Sequence, residues 1–359
     1  MSYASEQIID VRPDEQLDED ALADHLRGRL PGTDAPLTVR QFGGGKANLT
    51  YLLDYGTHEY VLRRPPLGTV AESSHDMERE YTVLSTLHAA FPLAPEAYLF
   101  CDDPAVIGDV FFVMERRQGA VVRETLPDVY ADVDDAPPRM TRVLIDVLAD
   151  LHAVDPADVG LSDLGDPDGF IDRQVQGWHR RWQQAKPQPL PIMDAVYHWL
   201  REHLPPSAEA TLVHNDYKLD NVMLDPVDPG QPVAVFDWDM CTLGDPLSDL
   251  GALLTYWVQP DDPSPFRQFA TMPVDPRFPS RQDLVDRYAE RSGRDVSRIR
   301  FYHTLGLFRL AVIVAQLYIR YERGDTQDDR FARLQPMIEV VAQSAHDVAQ
   351  GEGLAVSAE

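Results

Sequence analysis

The sequence predicts an α+β protein with two lobes, a small N-terminal antiparallel sheet lobe and a mostly helical C-terminal lobe. A chain of 359 residues exceeds the size of one typical hydrophobic core. Short apolar runs separated by turns fill roughly the first third, and longer stretches with helical spacing follow. We therefore expect one domain over residues 1–115 and a second over residues 116–359.

Composition and charge argue against several classes of protein. Apolar residues make up 44% of the chain, which is typical of a globular protein. The net charge of −27 argues against nucleic-acid binding, which needs a basic surface. The longest apolar stretch, residues 305–319, is interrupted by an arginine and a glutamine, so we predict a buried helix rather than a membrane span. The acidic N-terminus lacks a signal pattern, and Cys101 and Cys241 form no paired motif. We therefore expect a cytoplasmic protein with reduced thiols.

The N-terminal part alternates strands with turns and two helices. Residues 18–30 begin with acidic and end with basic side chains around an apolar stripe, which predicts an amphipathic helix. A second helix is predicted over residues 74–90, and residues 115–119 are predicted to form a hinge. Five strands are predicted, at residues 37–42, 49–55, 59–64, 97–100 and 110–114.

A run of glycines, Gly43, Gly44 and Gly45, follows the first predicted strand and leads through Lys46 to Asn48. Glycines between two strands let backbone amides approach a ligand without side-chain obstruction. The run is not a Walker A loop, because the Gly-Lys-Ser/Thr ending and the following helix are missing. Such turns are more often ordinary hairpins, and a loop lysine is more often solvated. The position of this loop ahead of the polar motif described below favours a ligand-binding role.

The second part of the chain has the apolar periodicity of helices, interrupted by proline-rich breaks. The predicted helices cover residues 137–154, 169–184, 192–203, 247–257, 281–292, 296–323 and 329–348.

The most informative stretch is a strand–loop–strand segment in this second part. His214, Asp216, Lys218 and Asn221 follow an apolar strand, and Asp237 ends a later one. A carboxylate can orient a hydroxyl nucleophile and accept its proton. An amide oxygen and a second carboxylate can share the Mg²⁺ ions that bridge ATP phosphates. Acidic hairpins are common, but this ordered set favours phosphoryl transfer.

The order of these features resembles the aminoglycoside phosphotransferase and choline kinase branch of the protein-kinase-like fold. The resemblance covers residues 42 to about 323, and includes a cation, Arg63, on the third strand and Glu80 on the following helix. Some details look more like the kinase domains associated with acyl-CoA dehydrogenases. These details lie at residues 42–45, 48–53, 60–66, 244–246, 308–311 and 318–320.

The resemblance implies a role for each residue of the motif. Asp216 would be the catalytic base, and Lys218 would steady the transferred phosphoryl group by its charge. Asn221 and Asp237 would hold Mg²⁺. The resemblance also implies that the first domain is a nucleotide-binding lobe and the second a catalytic and acceptor-binding lobe.

ATP would be held by the glycine loop and by an ion pair. Arg63, in place of the usual lysine, would pair with Glu80 and grip the phosphates. His214 and Asp249 would instead brace the backbone of the catalytic loop through hydrogen bonds. The residues implied to bind the nucleotide are Gly43, Gly44, Gly45, Asn48, Arg63, Glu80, Met114 and Arg116.

The function implied is an ATP- and Mg²⁺-dependent small-molecule kinase that phosphorylates a substrate hydroxyl, with a hydroxyacyl-CoA as one candidate acceptor. The alternatives are an aminoglycoside or choline kinase and a catalytically weak nucleotide-binding regulator. The intact Asp216, Asn221 and Asp237 argue against a regulator. We expect no nucleic-acid or membrane partner. The oligomeric state and the choice between ATP and GTP stay open.

Local charge suggests where an anionic acceptor would bind. Residues 291–333 contain nine arginines and five acids, a charge of +4 in a chain of −27. These arginines form either salt bridges along helices or a phosphate site for a CoA-linked substrate. A substitution of Arg320 would distinguish the two. The predicted site would border the apolar face of Leu305, Phe308, Val312 and Leu317. The high content of acidic residues in the rest of the chain fits either adaptation to a saline cytoplasm or a codon bias of the genome.

Overall fold

The computed structural model describes residues 8–43, 48–67, 76–207, 209–324, 331–354 and 356. Within these ranges the strands are β1 (Ile8–Ile9), β2 (Thr38–Phe42), β3 (Leu49–Asp54), β4 (Glu59–Arg64), β5 (Ala97–Cys101), β6 (Phe111–Glu115), β7 (Ala120–Val121), β8 (Thr211–Val213), β9 (Val222–Leu224), β10 (Pro232–Val235) and β11 (Thr242–Gly244). The α-helices are α1 (Glu19–Leu26), α2 (Met77–Leu87), α3 (Pro104–Ile107), α4 (Ala136–His152), α5 (Phe170–Ala185), α6 (Pro191–Glu202), α7 (Leu247–Tyr256), α8 (Ser264–Gln268), α9 (Arg281–Ser292), α10 (Ile299–Glu322) and α11 (Gln335–Gln350).

The N-terminal strands form one antiparallel sheet in the order β1-β2-β3-β4-β6-β5. Val61 of β4 pairs with Met114 of β6. Because successive side chains of a strand point to opposite faces, Tyr60 and Leu62 belong to the core that α1 covers, whereas Val61 belongs to the core that α2 covers. Arg63, two residues after Val61, therefore lies on the face that α2 covers.

The remainder of the described chain is mostly helical and is built around α10, whose 24 residues are largely buried against α5, α6, α7 and α11. Among the described helices, α10 alone has the length and apolar composition of a membrane span. However, 72% of the apolar window is buried inside the protein, as in the core helix of a folded domain. Leu305, Phe308 and Val312 are at most 7% exposed, and Leu317 packs against the same core. These side chains thus belong to the hydrophobic core, and the prediction that this face borders an acceptor site stays a prediction.

Two glycines let α7 and α10 cross closely. A Cβ atom at Gly251 of α7 would lie 2.5 Å from the carbonyl oxygen of Tyr302 on α10. A Cβ atom at Gly306 of α10 would lie 2.7 Å from the carbonyl oxygen of Gly251. Real Cβ atoms do not approach backbone atoms so closely, so the crossing requires glycine on both helices. The crossing fixes α7, which carries Asp249.

The predicted protein-kinase-like fold is confirmed, with an antiparallel sheet in the N-terminal part and helices in most of the rest. The long helices lie within a few residues of their predicted bounds. The last one begins at Gln335 rather than at residue 329, because Pro336 favours the first helical turn. The elements without a prediction, β1, β7, β11, α3 and α8, have two to five residues, too few for a periodic pattern. The division at residues 115 and 116 stays a prediction.

Gly251→Ala tests the helix crossing. Because the added methyl group meets backbone atoms that cannot rotate away, we expect a loss of roughly 1–3 kcal/mol in the free energy of unfolding. The matched control is Gly177→Ala in α5, where a Cβ atom would meet no atom closer than 3.8 Å. That change should stabilise the protein by about 0.5–1 kcal/mol. Urea unfolding measures both values, and equal effects would exclude a tight crossing.

Candidate active site

The loop after β8 is held by one buried carboxylate. Asp249 Oδ2 accepts a hydrogen bond from the backbone amide of His214 at 2.6 Å, and Asp249 Oδ1 accepts one from the amide of Asn215 at 2.7 Å. His214 Nε2 donates to the carbonyl oxygen of Phe236 at 2.8 Å, while its Nδ1 accepts from the amide of Asp216 at 3.3 Å. The prediction that His214 and Asp249 brace this loop is confirmed.

Asp249 is itself held by residues that the sequence did not indicate. His152 Nε2 lies 3.2 Å from Asp249 Oδ2, and His152 Nδ1 lies 2.7 Å from the hydroxyl of Tyr288 on α9. Burial works against ionisation of Asp249, but the hydrogen bond and charge of His152 and the contacts to His214 hold its pKa below the ordinary value. Asp249 therefore stays ionised and can accept from both backbone amides.

Asp216 and two neighbours form the first half of the site. Lys218 Nζ donates to Asp216 Oδ2 at 2.6 Å. Asn221 Nδ2 donates to the same oxygen at 3.0 Å and to the carbonyl oxygen of Asp216 at 2.8 Å. Both side-chain donors thus converge on Oδ2, and Oδ1 receives no side-chain hydrogen bond from the described part of the chain. One oxygen of the carboxylate is therefore fixed and the other can face an acceptor hydroxyl.

Arg63 links two carboxylates in the second half of the site. Its Nη1 lies 3.0 Å from Glu80 Oε1, which confirms the predicted ion pair. Its Nη2 donates to Asp237 Oδ1 at 2.9 Å, a contact that was not predicted. Glu80 is 1% exposed, and burial raises its pKa to about 8 despite the opposing charge of Arg63. The pKa of Asp237 is lowered, because Arg63 outweighs the effect of burial.

Asp237 and Asn215 hold strained backbone conformations. Their φ angles are 65° and 63°, and among the described residues no other non-glycine residue has a positive φ angle. The left-handed region costs about 1–2 kcal/mol for such residues and persists where surrounding contacts enforce it. Asn215 Nδ2 donates to the carbonyl oxygen of Met240 at 2.9 Å, so this residue also ties the catalytic loop to the segment after Asp237.

Asn221 and Asp237 have oxygens suited to Mg²⁺. The amide nitrogen of Asn221 is used by Asp216, which leaves Oδ1 free of protein donors within the described ranges. Asp237 Oδ1 accepts from Arg63, and its side chain is 39% exposed, so Oδ2 can reach a ligand. No group of three or more His, Cys, Asp or Glu side chains that could hold a metal occurs among the described residues. Two oxygen ligands still fit Mg²⁺, which keeps waters and binds phosphate oxygens.

The remaining predicted nucleotide-binding residues lie at the sheet and its loop. Gly44 and Gly45 lie outside the described residues, and Gly43 is in a turn after β2. Asn48 is 4% exposed, and neither polar atom of its side chain has a hydrogen-bond partner within the described ranges. Such buried unpaired groups are rare and can mark a ligand site.

Met114 directly precedes the predicted hinge, and Arg116 lies within it. Met114 is 4% exposed in β6, where it pairs with Val61. The Arg116 guanidinium lies 2.7 Å from Glu59 Oε2. Because that carboxylate engages the side chain, we expect Arg116 to offer its main chain to a nucleotide.

The fold and the site together define a small-molecule kinase of protein-kinase-like fold. A sequence profile described as phosphotransferase enzyme family matches residues 38–281. The chain belongs to the phosphotransferase enzyme family. This membership confirms the predicted class, a phosphotransferase that acts on hydroxyl groups.

A solved structure from Ralstonia eutropha JMP134, named as a candidate aminoglycoside phosphotransferase, is 28% identical with a TM-score of 0.81; the match covers 94% of this chain and 100% of that one. A complex of aminoglycoside phosphotransferase APH(4)-Ia with AMP-PNP and hygromycin B is 18% identical, covers 91% of this chain and 98% of that one, and shares the fold with a TM-score of 0.58. Acyl-CoA dehydrogenase family member 11 of Rattus norvegicus is 33% identical over 347 residues, or 92% of this chain and 44% of that protein. The chain thus spans less than half of this relative, and the resemblance to kinase domains associated with acyl-CoA dehydrogenases is confirmed.

Glu80→Gln tests the protonation state of the buried Glu80 carboxyl group through pH. A folded-state pKa of about 8 lies above the ordinary value of 4.5, so the stability contributed by protonated Glu80 is present below pH 4.5 and is lost as the pH rises through about 8. Glutamine stays neutral. The difference in the free energy of unfolding, variant minus natural chain, should therefore rise by a few kcal/mol as the pH is raised from 4.5 to about 8. A change of one unit in the pKa of Glu80 corresponds to about 1.4 kcal/mol. Urea unfolding at a series of pH values measures the difference.

The matched control for this test is Glu78→Gln, an exposed position two residues earlier in α2. Its effect should not vary over the same pH range. A pH-independent effect of Glu80→Gln would show that Glu80 is ionised throughout the range.

Proposed function

We propose that this chain is an ATP- and Mg²⁺-dependent kinase that transfers the γ-phosphate to the hydroxyl group of a hydroxyacyl-CoA. The observation that carries the kinase proposal is the carboxylate of Asp216, with one oxygen fixed by Lys218 and Asn221 and the other without a side-chain donor in the described part of the chain. In this proposal residues 1–115 bind the nucleotide, and residues 116–359 bind the acceptor and carry the catalytic loop.

Each residue of the site has a role in this reaction. Asp216 Oδ1 accepts the proton of the acceptor hydroxyl as the hydroxyl oxygen attacks the γ-phosphate and ADP leaves. Lys218, whose charge is favoured by Asp216 and Asp220 despite its burial, stabilises negative charge on the transferred group. Asn221 and Asp237 would hold Mg²⁺, which when bound would supply positive charge to the phosphates. Glu80 keeps Arg63 extended towards the phosphates.

Support for an acyl-CoA acceptor comes from the relative, which is named as an acyl-CoA dehydrogenase family member. The arginine-rich segment 291–333 does not form one site. Arg291 pairs with Asp150, Arg294 donates to the carbonyl oxygen of His152, and residue 330 lies outside the described part. Arg309 alone among the segment's described arginines has a contact to the loop after Asp237, at Met240.

An assay of nucleoside diphosphate formation, ADP from ATP or GDP from GTP, tests the proposal and its alternatives. The purified chain is offered MgATP or MgGTP with a series of hydroxyacyl-CoAs, with kanamycin and hygromycin B, and with choline. We expect acceptor-dependent ADP formation with a hydroxyacyl-CoA. Turnover of an aminoglycoside or choline in its place would assign the alternative kinase, and nucleotide binding without any turnover would assign the regulator.

Asp216→Asn and Asp237→Ala separate the base from the metal ligand. Asp216→Asn should lower kcat by a factor of about 10²–10⁴ and leave the affinity for MgATP nearly unchanged, because it removes the proton acceptor. Asp237→Ala should weaken MgATP binding itself. Steady-state kinetics give kcat, and calorimetric titration gives the affinity. A kcat of Asp216→Asn equal to that of the natural chain would rule out Asp216 as the base.

A further inference from the structure

The guanidinium groups of two arginines lie over the ring of a tryptophan on α5. The Arg181 guanidinium carbon lies 4.5 Å from the centre of the Trp178 ring, and that of Arg309 on α10 lies 5.2 Å from it. Cation–π contacts of this kind hold arginine side chains in place without using their charge in an ion pair. Trp178 is itself fixed, since it is 7% exposed and its indole N–H donates to Gln174 at 3.1 Å.

Within the described part of the chain, no carboxylate balances the positive charge at this place. Across the described ranges, no carboxylate lies within ion-pair distance of Arg180, Arg181 or Arg309. Burial and the neighbouring charges of Arg309 and Arg180 lower the pKa of Arg181. Arg309 Nε is buried and has no hydrogen-bond partner among the described residues, and its Nη2 has a weak contact at 3.9 Å to Met240 Sδ. An uncompensated arginine cluster in a chain of net charge −27 indicates a place for an anion.

This cluster borders the catalytic loop. Met240, which Arg309 touches, is the residue whose carbonyl oxygen accepts from Asn215. On the other side, Lys218 Nζ lies 5.5 Å from the ring centre of Tyr256. Burial and the charge of Asp216 raise the pKa of Tyr256, and the charges of Arg309 and Lys218 oppose that rise. Met240 thus connects the arginine cluster with the loop that carries Asp216.

We propose that Arg181, Arg309 and Trp178 form the binding site for a phosphate ester of the acceptor, placed so that the acceptor hydroxyl reaches Asp216. The inference rests on the proposed kinase function, because it assigns the acceptor side of the same site. Two planar guanidinium groups suit a dianion, since each can donate two parallel hydrogen bonds to phosphate oxygens. The same cluster repels polycationic acceptors such as aminoglycosides.

Direct binding tests the site without turnover. Calorimetric titrations with CoA, dephospho-CoA and 4′-phosphopantetheine are compared for the natural chain, Arg309→Gln, Arg181→Gln and Arg320→Gln. Arg320 is the matched control, because it is exposed on the same helix about 16 Å further along. We expect Arg309→Gln and Arg181→Gln each to weaken CoA binding by about tenfold, with a reduced salt dependence, and Arg320→Gln to have no effect. Arg181 is exposed, so its variant should fold normally even if Arg309→Gln does not.

The three ligands distinguish the phosphates. Weak binding of both dephospho-CoA and 4′-phosphopantetheine, which lack the 3′-phosphate, would assign the cluster to that phosphate. An equal loss of affinity for all three ligands upon Arg309→Gln would assign it to the phosphate next to pantetheine. Either result supports the site. Unchanged CoA affinity in both arginine variants, or an equal loss in Arg320→Gln, would overturn it.

Kinetics separate this inference from the proposed function. If hydroxyacyl-CoA is turned over, Arg181→Gln should raise the KM for hydroxyacyl-CoA and leave kcat and the KM for ATP unchanged. An unchanged KM for hydroxyacyl-CoA would overturn the phosphate site but not the kinase function. If no hydroxyacyl-CoA is turned over but CoA binding depends on both arginines, the acceptor reaction is wrong and the phosphate site stands.

Discussion

The carboxylate of Asp249 is the interaction on which the catalytic loop depends. It is fully buried and accepts from two successive backbone amides, so the loop can hold the left-handed conformation of Asn215 that brings Asp216 into position. The position of Asp249 depends in turn on helix packing, because Gly251 sits against α10 and His152 approaches from α4. The geometry of a few loop residues is therefore determined by three helices that are distant in sequence.

A second constraint joins the sheet to this loop through Arg63. Its two terminal nitrogens serve different carboxylates, Glu80 through Nη1 and Asp237 through Nη2. A lysine ammonium is a compact point charge, whereas the planar guanidinium presents donors in fixed directions. This geometry gives a physical reason for the arginine at position 63, where the kinase family that the chain resembles usually has a lysine. It also explains how Asp237 can hold a strained φ angle, since its side chain is anchored from the sheet.

The sequence predicted those features that depend on regular spacing or on an ordered motif. The long helices, the principal strands and the Arg63–Glu80 pair are of this kind. Asn215, His152 and Tyr288 could not be found, because their partners lie far away along the chain and no local pattern marks them. The charge count over residues 291–333 failed for a related reason. A helix turns every 3.6 residues, so arginines in one window point in several directions, and the tertiary structure decides that Arg309 lies near the loop.

The uneven charge of the molecule affects an anionic acceptor in two opposite ways. With 59 acidic and 32 basic residues, the chain as a whole repels anions at long range. Salt screens that repulsion over a Debye length of about 10 Å at 0.1 M, and so favours the approach of an acceptor. The contacts that Arg181 and Arg309 would make to a phosphate lie well within this length and are weakened less if they are partly buried. A cluster of arginines without carboxylate partners can therefore select an anion locally, even on a strongly acidic protein, and its selectivity follows from contact geometry rather than from net charge.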